Sequence, residues 1–276
     1  MINSNFKVAC VQLSTGTDIA TNLPAVLELI RSAKDNGADL IITPEQTLLM
    51  ANSKKQLFNQ ISYEEEDKSI TALCDLALEL NIFLIIGSLS IKIDDYRAVN
   101  RSYIINNNGK IIGYYDKIHM FDVQLESGEI YRESSTFESG KKISIIDIPW
   151  GKIGLTICYD LRFPGLYKSI ATRGARFITV PSAFTKYTGS AHWHVLLRSR
   201  AIETGCFIFA PAQVGKHQNG RETYGHSLIV SPWGEILAEA IDDNPCFIIA
   251  DINTEEVMNS RNKIPAWSYE CDYDVL

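Results

Sequence analysis

The chain has 276 residues, 46% of them hydrophobic and 21% charged. That is enough apolar material for a sizeable core and too much for a disordered chain. The formal net charge of −7 argues against nucleic acid as a main partner, because phosphate binding needs a basic surface.

Residues 6–13 (FKVACVQL) are apolar on both faces apart from Lys7 and Gln12, as in a strand covered on both sides. Leu23, Val26, Leu27, Ile30 and Ala33 recur at helical spacing, with Pro24 in the first turn and Gly37 as terminator. Residues 38–42 predict a short strand running into Thr43-Pro44-Glu45-Gln46. Ile70, Leu73, Ala77 and Leu80 mark a helix face, with the acidic run 64–67 at its N-terminal end, where the dipole favours negative charge. Residues 83–88 predict a strand, and 98–105 with 111–115 an antiparallel hairpin around Asn106-Asn107-Asn108-Gly109. A long polar connection, 116–140, holds Lys117, His119 and Glu133. Strands follow at 143–148 and 176–181, helices at 165–174 and 191–203, and a strand at 206–211. Residues 224–230 and 235–240 flank the turn Ser231-Pro232-Trp233-Gly234, and 247–252 is a late strand. No linker or repeat divides the chain, so one α/β domain over 1–276 is expected. Pattern alone leaves open a sandwich or a doubly wound sheet.

The stretch 151–164 (GKIGLTICYDLRFP) organises the rest. Ile153, Leu155 and Ile157 alternate with Gly154, Thr156 and Cys158, which sets Cys158 at the exit of a strand. A thiol there is exposed on a rigid base, beside backbone N–H groups that can face an oxyanion. The alternative is a buried structural cysteine. Glu45 follows a strand and Lys117 a hairpin in the same way. Each alone has an ordinary explanation, a cap or solvated acid and a surface lysine. Strand ends on one sheet edge converge, however. Together the three suit acyl transfer at an amide or nitrile. Cys158 attacks carbon to give a thioester, Glu45 moves the protons, and Lys117 stabilises the oxyanion with a backbone N–H near Cys158.

These stretches resemble the nitrilase superfamily of carbon–nitrogen hydrolases. The likeness rests on Thr43-Pro44-Glu45, on 115–122 (YDKIHMFD), on 154–164 (GLTICYDLRFP) and on 131–134 (YRES). It implies a four-layer αββα sandwich and a catalytic set of Glu45, Lys117 and Cys158, with Glu133 orienting the lysine and substrate. Residues 181–184 (PSAF), 188–193 (TGSAHW), 198–204 (RSRAIET), 212–217 (AQVGKH) and 224–227 (YGHS) look like the branch of deaminated glutathione amidase and omega-amidase. The implied reaction is hydrolysis of the terminal amide of a 2-oxoglutaramoyl compound, with ammonia released, in a homodimer without cofactor or metal. Two departures stand. Position 190 is Ser where Pro is usual, and 268–276 lacks the basic ending of that branch. They bear on tail-mediated dimer contacts, not on the chemistry.

The remaining assignments are of binding residues. Arg162 suits a substrate carboxylate as a bidentate fork, or a salt bridge to Asp160 or another acid. Tyr159, Phe184, His192 and Trp193 are candidates for the substrate pocket, and 122–139 for the specificity loop. His192 and His194 make a poor metal pair, since i and i+2 point to different helix faces and no third ligand is evident. No apolar run reaches transmembrane length and residues 1–20 lack a signal-peptide pattern. The six cysteines, Cys10, Cys74, Cys158, Cys206, Cys246 and Cys271, form no CxxC, as expected of a reduced, cytoplasmic protein. Rival functions are omega-amidase action on 2-oxoglutaramate, a carbamoylase, a non-catalytic binding protein on the same fold, and a thiol redox sensor. The last lacks a resolving cysteine near Cys158 in sequence.

Overall fold

The structure is a computed structural model and describes residues 5–124, 128, 130–269, 271, 272 and 274. Two six-stranded sheets stack face to face. The first runs Cys246–Asn253, Asn5–Gln12, Leu40–Ile42, Phe83–Lys92, Ala98–Ile105, Ile111–Asp116. The second runs Ile236–Glu239, Leu228–Val230, Phe207–Ala210, Ala175–Thr179, Gly151–Leu155, Ser144–Ile148. In each sheet three neighbouring strands are parallel and the others add on antiparallel.

Alternation along the strands builds the layers. Val8, Cys10, Leu40 and Ile42 face Ile153, Leu155 and Phe177 of the second sheet. Phe6 stacks on Trp150 at 4.3 Å and meets Phe177 edge-on at 5.4 Å. The intervening residues Ala9, Val11 and Ile41 face helices Ile19–Asp35 and Lys68–Leu80. Helices Pro164–Thr172 and Lys186–Thr204 cover the second sheet. Gly154 permits the close approach, since a Cβ there would lie 2.3 Å from Ile170 Cγ2. This is the four-layer αββα sandwich, with burial of both inner faces as its main driving force.

Several boundaries differ from the expected ones. The first helix begins at Ile19, because Asp18 caps it by accepting from the Thr21 N–H at 2.8 Å, so Pro24 falls in its second turn. Of the acidic run, Asp67 caps Lys68–Leu80, whereas Glu64 pairs with Arg101 at 2.6 Å. Helix Lys186–Thr204 starts before residue 191, capped by Thr185. The strand expected at 224–230 is broken. Glu222–Tyr224 pairs with Val214–Lys216, and left-handed residues Gly225 and His226 precede Leu228–Val230. Helices Lys54–Gln60 and Glu255–Lys263 are additional. Inside the polar connection, Asp122–Gln124 and Ile130–Arg132 form a small hairpin. Parts of 122–139 and of 268–276 lie outside the described residues. Among those described, no helix is long and apolar enough to cross a membrane, and the cysteines are free.

Candidate active site

Strand Leu40–Ile42 ends in a loop that turns Glu45 inward, with Gln46 in the left-handed region at φ 55°. The Glu45 carboxylate is 3% exposed. Its Oε1 accepts from Lys117 Nζ at 2.8 Å and Asn100 Nδ2 at 3.0 Å. Its Oε2 accepts from the Ala183 N–H at 2.9 Å, and the carboxylate lies close enough to the Cys158 thiol for each to shift the other's pKa. Lys117 follows strand Ile111–Asp116, and its N–H donates to the Asn100 carbonyl at 2.9 Å. Its Nζ also donates to both oxygens of Glu133, at 3.0 and 2.9 Å. Glu133 opens a short 3₁₀ turn and accepts from the Phe121 N–H at 2.7 Å and Asn100 Nδ2 at 3.2 Å.

Cys158 departs from its expected exposure. Strand Gly151–Leu155 stops three residues before it, and Cys158 begins the 3₁₀ helix Cys158–Arg162 at φ 49°. That conformation is costly for a non-glycine residue. It is held by the Cys158 N–H donating to the Pro181 carbonyl at 3.0 Å. The side chain is buried, 6% exposed.

These neighbours set the protonation states. Burial and the Glu45 charge push the Cys158 thiol up, outweighing Lys117, so it rests protonated. Burial opposes the Lys117 charge, but Glu133 and Glu45 hold its pKa above the ordinary lysine value. Burial also raises the Glu45 pKa, yet Lys117 reverses this and leaves it below the usual glutamate value. A neutral thiol thus faces an ionised carboxylate, which can take the thiol proton as sulfur attacks.

Asp160 locks two of these segments together. Fully buried, it accepts from Tyr115 Oη at 2.8 Å, the Ile157 N–H at 2.9 Å and the His119 N–H at 3.1 Å. His119 Nδ1 lies 2.6 Å from it. With these partners in place, Asp160 is not paired with Arg162, one of the two options left open by sequence.

A cavity of about 280 Å³ opens beside Cys158. Tyr159, Arg162 and Phe184 line it, as do Arg132 and Arg221. Trp193 is fully buried and backs the wall through Phe184, with its Nε1–H donating to the His226 carbonyl at 2.7 Å. His192 is exposed, and its Nδ1 lies 3.2 Å from Arg162 Nη1. Sequence did not single out Asn100, Ala183 or Arg221. Asn100 sits inside a strand and Arg221 in a turn-rich stretch, and neither pattern marks a site.

His192 and His194 make no metal pair, but His194 meets two other groups of ligand type. His194 Nε2 and His226 Nδ1 lie 2.9 and 2.7 Å from Glu239 Oε1. Their ligating atoms fall within 4.8 Å of one another, close enough to hold a cation.

A buried thiol, a carboxylate and a lysine thus meet at the rim of two stacked sheets. The chain belongs to the carbon–nitrogen hydrolase family, whose model matches residues 7–262. It is 37% identical to a deaminated glutathione amidase of Yersinia enterocolitica over 95% of this chain and 91% of that protein. It is 35% identical to the protein of that name from Dictyostelium discoideum, over 98% and 95%. Nit3 of Saccharomyces cerevisiae, a member of branch 10 of the nitrilase superfamily, superimposes with a TM-score of 0.85 at 32% identity, covering 96% of each chain. The protein is therefore an amidase-type carbon–nitrogen hydrolase.

Proposed function

We propose that the protein hydrolyses the terminal amide of a 2-oxoglutaramoyl compound such as deaminated glutathione, with Cys158 as nucleophile. The observation that carries this is the single buried cluster in which the Glu45 carboxylate neighbours both the Cys158 thiol and Lys117 Nζ. Sulfur attacks the amide carbon while Glu45 takes the thiol proton. Lys117 keeps one N–H bond for the oxyanion when it gives one each to Glu45 and Glu133. The Tyr159 N–H is the matching backbone donor. The Cys158 N–H is already spent on Pro181. Collapse breaks the C–N bond, the amine leaves with the proton from Glu45, and a thioester remains. Water, deprotonated by Glu45, then releases the acid and restores the thiol.

One expectation changes on chemical grounds. Deaminated glutathione carries its amide on a cysteine nitrogen, so the leaving group from it is a dipeptide amine. Ammonia leaves only from a primary amide such as 2-oxoglutaramate. Glu133 acts by holding Lys117, and Tyr159, Arg162 and Phe184 contact the substrate. His192 and Trp193 support those residues from behind.

The single domain spans the whole chain and works in the cytoplasm as a homodimer. Val195 and Ile202, on one helix face, are 65% and 57% exposed, and an apolar patch of this kind favours self-association. The decisive test is Cys158→Ala. It should abolish release of 2-oxoglutarate from deaminated glutathione while leaving the circular dichroism spectrum unchanged. With a slow substrate, mass spectrometry should find the acyl adduct on the Cys158 peptide alone. Retained turnover in the folded variant would remove Cys158 from the mechanism.

A further inference from the structure

The wall beside Cys158 is cationic in a chain that is acidic overall. Lys117, Arg132, Arg162 and Arg221 line the cavity against two carboxylates, Glu45 and Glu133. Both carboxylates are already bound to Lys117. Among the described residues, none of the three arginines is within salt-bridge distance of a carboxylate. The positive charge here is thus local and only partly balanced, as in a site for an anion.

The three arginines are not equivalent. Arg132 Nη1 turns back onto the Tyr131 carbonyl at 3.2 Å, in an exposed position. Arg162 is partly exposed, stacks over Phe184 at 5.1 Å and contacts His192. Arg221 is fixed from several sides. Its Nη2 donates to the Ala183 carbonyl, and the N–H of the same residue donates to Glu45. Its guanidinium lies 5.3 Å from the Tyr131 ring, and its Nε is buried without a hydrogen-bond partner. Its charge acts on both Glu45 and Cys158, lowering the pKa of each. A cation held by the residue that also holds the base stands at a set reach from the nucleophile.

Building on the amidase function proposed above, we infer that Arg221 is the residue that binds the substrate's acyl-end carboxylate. It thereby selects ω-amides of short dicarboxylic acids over neutral amides. Arg162, nearer the mouth, then has a secondary share in that selection.

Two measurements test this with wild type, Arg221→Gln, Arg221→Lys and Arg162→Lys. The first is kcat/KM on 2-oxoglutaramate and on pentanamide, a neutral amide of the same length. Arg221→Gln should lose about 100-fold on the anion, mainly through KM, and about threefold or less on pentanamide. Arg221→Lys should recover only part, because a point charge does not copy the fork. The second is calorimetric binding of 2-oxoglutarate, the product dianion, which needs no turnover. Arg221→Gln should weaken it at least tenfold. Equal losses on both amides would overturn the assignment, as would unchanged 2-oxoglutarate binding in Arg221→Gln, no binding by wild type, or a selective loss confined to Arg162→Lys. If Arg221→Gln does not fold, Arg221→Lys carries the same comparison. Arg221-dependent binding in a wild type that fails to hydrolyse 2-oxoglutaramate would sink the amidase proposal for that substrate and leave the anion site standing.

Discussion

Lys117 is a cation enclosed by two carboxylates, and its removal separates charge pairing from packing. In Lys117→Met, Glu45 stays buried with only the more distant Arg221 charge near it and Glu133 loses its ammonium partner, a loss worth about 3–5 kcal/mol at neutral pH. The pH dependence has a definite sign. In wild type the Lys117 pKa is raised, so its contribution is complete below the ordinary lysine value and is lost as pH rises through the higher folded value. The Glu45 pKa is lowered, so its contribution is present above the ordinary glutamate value and is lost as pH falls through the lower folded value. Lys117→Met removes the cation that holds Glu45 down, and burial then raises that pKa instead. Urea titrations at stepped pH should show wild type weakening on acidification while the gap to Lys117→Met narrows. A constant gap would mean that Lys117 stabilises through packing alone. Glu45, Lys117 and Cys158 were legible because each stands at the end of an apolar run, whereas Glu133, inside a polar connection, came only with the family resemblance. Asn100, which hydrogen-bonds both Glu45 and Glu133, was not. It stands in an alternating strand, where a polar residue marks only a face of the sheet.

The Glu45 loop is placed by a neighbouring strand. Phe83–Lys92 shifts register between Ile86 and Leu89. At that irregularity the Gly87 N–H donates to Thr43 Oγ1 at 3.0 Å, and Ser88 Oγ accepts from the Gln46 N–H at 2.9 Å. A Cβ on Gly87 would lie 1.9 Å from the Thr43 carbonyl oxygen and 2.6 Å from Pro181 Cβ. Gly87→Ala should therefore cost about 1–3 kcal/mol as overpacking. It should also displace Glu45 enough to lower kcat about tenfold or more, because small misplacements of reacting groups are expensive. Gly165→Ala is the control, with nothing within 4 Å of its Cβ. Thermal melts and initial rates on the two variants make the comparison, and equal kcat values would show that the loop does not depend on Gly87. At this scale the strands of the first sheet were largely legible from alternation. The start of helix Lys186–Thr204 was not, since Thr188, Gly189 and Ser190 look like a turn. Gly189 is small because Tyr224 packs on it, its Cβ 2.3 Å from where an alanine methyl would sit. That is a tertiary reason with no local pattern.

For the whole molecule, the layers follow from burying two faces per sheet, whereas self-association depends on what remains outside. Ile202→Glu places a charge on the exposed apolar face of helix Lys186–Thr204. It should halve the mass seen by light scattering if that face joins two copies, and an unchanged mass would show that this face joins none. The choice of sandwich over doubly wound sheet was not legible in the alternation, because both bury parallel strands on two sides. It came with the family resemblance. The first sheet also has a consequence for the order of events during synthesis. Asn5 pairs with Asn253, and Gln12 with Cys246. The first strand made thus waits for nearly the last, and Gln213 Nε2, which donates to the Glu45 carbonyl at 3.0 Å, also arrives late. A nascent chain can hold every residue of the Glu45–Lys117–Glu133–Cys158 cluster and still carry an open, apolar sheet edge. Long-range pairing of this kind is slow and exposed to aggregation. A chain ending at residue 245 should sediment with the insoluble fraction and show no amidase activity, whereas a soluble, active fragment would mean that strand Cys246–Asn253 is dispensable. The Glu45–Lys117–Glu133–Cys158 cluster lies within the first 158 residues, but the strand that closes the sheet on Asn5–Gln12 comes only at Cys246–Asn253.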